Sequence, residues 1–139
     1  MSRAYFWVAT ILAVYCWLIT VAWLVAPSVP LTSWGMEIEA ESAAFGLRGG
    51  VATAAFGVAL FLVRREPRSR GRLAVSVAFI GAWLCYAAVG VYMVITDISG
   101  VGMLATVGVE VAAAAALAWA EFWASRRAQR DDAPQKRSP

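Results

Sequence analysis

Hydrophobic residues make up 61% of the 139 residues and charged residues only 15%, so a water-soluble domain of this length could not cover its own apolar surface, and lipid is the expected solvent. The net charge is only +3 and histidine is absent, which removes the commonest general base, the commonest metal ligand and every Ser-His or Cys-His nucleophile. No metal and no cofactor is therefore expected, and any chemistry would run on carboxylates, arginine, tyrosine or hydroxyls.

The first apolar run, 4–26, is too long for the core of a signal peptide and reaches Pro27-Ser28-Val29-Pro30 without a cleavage pattern, so it reads as a retained helix. Further runs follow at 43–63, 73–96 and 101–124, separated by an arginine-rich loop at 64–72 and by the short turn Asp97-Ile98-Ser99-Gly100. At about 1.5 Å of rise per residue, runs of roughly 20 residues each cross a hydrocarbon core of about 30 Å. The expected fold is all-α: one four-transmembrane-helix bundle over residues 1–125, with no strand signal. Residues 126–139 have too few apolar side chains to fold and read as a disordered basic cytoplasmic tail. Cys16 and Cys85 both lie inside apolar runs, which argues against a disulfide framework and reads them as small buried apolar residues.

Of the 12 Lys and Arg residues, all but Arg48 fall on one side of this arrangement, in the N-terminal segment, the 64–72 loop and the tail. The opposite side carries Glu37, Glu39, Glu41 and Asp97. By the positive-inside rule both termini are cytoplasmic, which predicts a multi-pass protein of a bacterial inner membrane. The basic groups then serve orientation and contact with anionic membrane lipids, and no nucleic-acid partner is expected.

Aromatic residues sort by depth. Tyr5, Trp7, Trp119 and Trp123 fall near the inner boundary and Trp23, Trp34 and Tyr92 near the outer one, where anchoring is the default role. Trp17 and Trp83 lie deeper, beside Cys16 and Cys85, and are candidates for the wall of a ligand cavity, with plain packing as the competing role. Small residues mark packing faces: Gly46, Gly50 and Ala54, then Gly49, Thr53 and Gly57, suggest that the second span is central. Gly108, Ala112 and Ala116 give the last span a similar face, and the short turn before it makes the last two spans antiparallel neighbours.

Two charged residues fall well inside spans. Arg48 lies roughly 6 Å below the outer end of the second span, and Glu110 roughly 10 Å below that of the fourth, from helical rise. Such residues are costly in lipid, usually face the protein interior, pair and mark function. Were the second helix to begin near Met36, Glu37, Glu41 and Arg48 would project within about 40° of one direction, with Glu39 on the opposite side. Thr106 precedes Glu110 by one turn on the same face. An Arg48–Glu110 pair, with Asp97 and Glu41 at the rim, is the central structural expectation, and a purely architectural pair is the alternative. Glu121 reads as an interfacial group neutralised by water and by Arg126 or Arg127, and Glu66 as a solvated loop charge.

The stretch Glu41-Ser-Ala-Ala-Phe-Gly-Leu-Arg-Gly-Gly50, continuing Val-Ala-Thr-Ala-Ala-Phe-Gly57, resembles a bacterial family of uncharacterised four-helix membrane proteins, DoxX-like in general shape. The resemblance implies a four-helix bundle with no established activity and gives weight to Arg48, Gly49 and Gly50.

The leading functional expectation is an intramembrane polar pocket near the outer face that binds a lipophilic small molecule. Acid-base isomerisation, cyclisation or epoxide opening is its potential use, which would make the protein a cofactor-independent membrane enzyme. In that scheme Glu110 is the acid, Arg48 binds an oxygen or tunes Glu110, and Glu41 or Asp97 is the partner base. Glu37, Thr53, Thr106, Trp17 and Trp83 would contact the ligand. The competing expectations are an accessory subunit of a larger membrane complex and a small proton-coupled transporter that forms a homodimer.

Overall fold

The computed structural model describes residues 2–124; the tail 126–139 and the side chain of Glu41 lie outside the described residues. Helix α1 spans Arg3–Val25, a short α2 spans Ser28–Ser33, α3 spans Ala40–Val63, α4 spans Arg70–Ile95 and α5 spans Met103–Ala118. The last helix widens into a π-helix over Trp119–Ala124. Among the described residues there is no strand.

Local chemistry sets the boundaries. Ser2 caps α1 by accepting the Tyr5 N–H, and Ser69 caps α4 by accepting the Arg72 N–H at 3.2 Å. Pro27 pushes Ala26 out of helical geometry, to φ −145° and ψ 66°, and so ends α1. Gly35 (φ 71°) ends α2 and Asp97 (φ 56°) ends α4, each in the left-handed region just beyond the helix. In both cases the following N–H returns to a carbonyl inside the helix, Met36 to Leu31 at 3.0 Å and Ile98 to Met93 at 2.9 Å. These are paired Schellman closures, one with glycine and one with aspartate, a residue that tolerates left-handed geometry.

Four helical segments, Arg3–Val25, Ser42–Val63, Arg70–Ile95 and Met103–Trp123, are long and apolar enough to cross a membrane. Their outward faces are apolar as well: Ile11, Leu18, Val25, Leu62 and Ile95 are all exposed. That surface suits hydrocarbon rather than water, as in a multi-pass membrane protein.

The helices run up, down, up, down, with the most extensive contacts between α1 and α3 and between α4 and α5. Lesser contacts join α3 to α4 and α5 to α1, closing the ring. The second span is therefore not central, contrary to the expectation from its glycines. One small face of α3 receives the aromatic side chains of α1: a β-carbon on Gly46 would overlap the Trp23 ring, and one on Gly57 would stand 2.8 Å from Trp17 Nε1. Thr20 crosses the same seam and donates to the Gly50 carbonyl at 2.8 Å. The last span likewise packs by a different face from the one its small residues suggest. A β-carbon at Gly108 would touch nothing and Ala112 is exposed, while Gly90 of α4 makes room for Val107 and Met103.

The continuous core, which includes Leu12, Cys16, Leu60, Phe79 and Leu117, fills the half of the bundle nearest the N terminus. Cys16 is buried there, but Cys85 is exposed on the outside of α4, and both are free thiols.

Candidate functional site

The other half of the bundle is split by a cavity of about 720 Å³ with walls from α1, α2, α3, α4 and α5. Its size falls within the range of small-molecule sites, roughly 300–1,000 Å³. Small residues of α3 make the space: Gly49 lies on the wall with nothing within 4 Å of where a β-carbon would be. Thr53, one turn further, faces the same space. Its hydroxyl donates to the Gly49 carbonyl at 2.9 Å, which satisfies it within its own helix.

The floor is aromatic. Trp83, only 3% exposed, stacks on Phe79 with ring centroids 5.0 Å apart, and Tyr15 approaches Trp83 at 5.7 Å. The buried indole N–H of Trp83 has no hydrogen-bond partner among the described residues. A buried donor normally has one, and the Trp83 side chain lines the cavity. Glu110 of α5 joins the same wall, half-buried, and Tyr86 and Val89 of α4 continue it.

A lid of ordered chain roofs part of the cavity. Trp34, just past α2, donates its indole N–H to Thr106 Oγ1 at 2.8 Å, and its carbonyl accepts the Gly100 N–H at 2.6 Å. A β-carbon on Gly102 would overlap the Ser33 carbonyl, so α2 and the α4–α5 turn fit together only because glycine stands there. Trp34 and the buried Trp23 pack with ring centroids 5.4 Å apart, and both line the cavity. These two are therefore wall residues more than interfacial anchors.

Of the residues expected at the site, Glu110, Thr53, Thr106 and Trp83 come together on this wall. Trp17 does not line it: its indole lies in the α1–α3 seam against Gly57 and Phe61. Arg48 is exposed and off the wall, and among the described residues no ion pair joins it to Glu110. The reason is helical phase. Gly46 and Gly50 are turned toward α1, so a residue two positions away, about 160° round the axis, must point outward. Asp97 is exposed in the closure of α4, and Glu37 is exposed in the extended segment before α3.

Glu39, expected on the opposite side, lines the cavity instead. The helix starts at Ala40 rather than near Met36, with Glu39 extended at φ −109° and ψ 154° and its N–H donating to Ser42 Oγ at 3.1 Å. That later start breaks the register that had placed Glu37 in line with Arg48.

A second polar cluster occupies the N-terminal end. Glu121, fully buried in the π-helix, accepts from Arg72 Nε at 2.8 Å and lies 3.4 Å from Arg68. Arg72, 2% exposed, also donates to the Glu66 carbonyl at 3.0 Å and lies over the Tyr5 ring at 3.7 Å. The Tyr5 hydroxyl is 3.1 Å from Ser76 Oγ. Glu121 is thus paired by the 64–72 segment, not by water at an interface; Arg126 and Arg127 lie outside the described residues. Tyr5, expected as an interfacial anchor, is a buried member of this network. The cluster ties α1, α4 and the end of α5 together, which gives it a structural role. Its one signal in the sequence is a carboxylate inside an apolar run level with the arginine that opens the third span.

Comparison with known proteins finds no matching family model, no matching curated protein and no matching solved structure.

Proposed function

We propose that this is a multi-pass membrane protein whose cavity binds a lipophilic small molecule, with Glu110, Thr53, Thr106 and Trp83 as contact residues. The observation that carries this reading is the cavity of about 720 Å³ among the spanning helices, bearing one half-buried carboxyl and one buried, unpartnered indole N–H. Met36, Met93 and Met103 also line it, and flexible thioethers let a surface adapt to an irregular apolar guest. The distribution of basic residues supports termini on the cytoplasmic side of a bacterial inner membrane. The cavity would then lie in the outer leaflet, where a lipophilic guest can enter from the bilayer. Arg48 and Asp97 lie off the wall, so the function proposed is binding, with Glu110 as its ionisable group, rather than the four-residue acid-base scheme.

Gly49 offers a direct test, because it lies on the cavity wall and a β-carbon there would meet nothing within 4 Å. Purified protein in detergent should bind a neutral lipophilic fluorophore such as N-phenyl-1-naphthylamine saturably, and Gly49→Phe should abolish that binding while keeping the unfolding temperature. Binding by Gly49→Phe equal to wild type would reject the cavity as the site.

A further inference from the structure

Resting on the pocket reading above, we infer that the guest is a lipophilic cation, an amine or onium compound rather than a fatty acid or other anion. Charge is the first ground. Among the described residues two acidic side chains line the cavity, Glu39 exposed at its α2 end and Glu110 half-buried deeper down, and no basic side chain does. Every arginine among the described residues lies off this wall, and Arg72 and Arg68 are turned to Glu121 at the opposite end of the bundle.

The aromatic content is the second ground. Five aromatic residues, Tyr15, Trp23, Trp34, Trp83 and Tyr86, share the wall with those carboxylates. Ring faces attract cations and repel anions, by about 0.5–1 kcal/mol at exposed sites and about 2 or more where water is excluded. Aromatic cages are a recurring solution for recognising quaternary ammonium groups.

Isosteric ions separate charge from shape. Tetraphenylphosphonium, tetraphenylborate and the neutral triphenylphosphine oxide are titrated calorimetrically into the full chain in neutral detergent, with protein-free micelles as the blank. The cation should bind at least about tenfold more tightly than the anion, as expected of a carboxylate set among aromatic faces. In Glu110→Gln, shown to be folded by its unfolding temperature, the preference for the cation over the anion should fall by most of that factor.

Wild-type protein that binds all three compounds alike would overturn the cation inference and leave the pocket standing. An undiminished preference in Glu110→Gln would overturn the assignment of Glu110 as its seat. Failure of every probe to bind would overturn the pocket itself.

Discussion

The two ends of this bundle are built from the same helices and solve opposite problems. At the N-terminal end a buried guanidinium and a buried carboxylate meet at 2.8 Å, with the Tyr5 ring over the guanidinium and the aliphatic core directly above. At the α2 end the carboxyl of Glu110 stands on the wall of open space, with no ion pair among the described residues. A buried charge with a close partner holds helices together; an ionisable group left facing a cavity is available to something else. Glu121 thus ties helices together at one end, while Glu110 faces the space that the small residues of α3 leave at the other.

Substitutions that sharpen this contrast differ in size. The largest loss is expected at the closed end, where Arg72→Ala or Glu121→Ala strands the other charge in the core at a cost of about 3–5 kcal/mol. Thermal unfolding in detergent measures it, and the double replacement Arg72→Met with Glu121→Leu should recover much of the loss because neither charge is then left buried. Gly46→Leu comes next, since its side chain would displace the Trp23 ring at the α1–α3 seam. Overpacking of that kind costs about 1–3 kcal/mol. Gly49→Leu, three residues on, enters open space and should leave stability nearly unchanged, so a similar loss at both positions would contradict the cavity. The smallest effect on the site is expected at Arg48, exposed and off the cavity wall: Arg48→Gln should bind the neutral fluorophore as wild type does.

The helical content, the number of spans and the pairing of α4 with α5 were legible in the sequence, because long apolar runs and a short turn speak for themselves in lipid. The level of Glu110 and Trp83 along their helices needs only a count of residues. Direction was harder to read. The facing of Arg48 depends on where α3 begins, and the start is set by Glu39 and Ser42, a detail that shifts every projected angle when missed. It depends equally on which small face of α3 is taken by α1, a choice made by Trp23 and Trp17 and invisible from the glycines alone. The Arg72–Glu121 pair joins residues 49 positions apart, and the π-helical widening around Glu121 has no marker in the residue pattern.

Photolabelling tests the central claim most directly, because it reports where a guest sits. A lipophilic diazirine is irradiated with the protein in bilayers and the labelled peptides are mapped by mass spectrometry. Labelling that concentrates on the wall around Tyr15, Thr53, Trp83 and Tyr86, and is suppressed by excess tetraphenylphosphonium, is the predicted result. Labelling spread evenly over the exposed residues Ile11, Leu18, Leu62 and Ile95, with no competition and none on the wall, would contradict it.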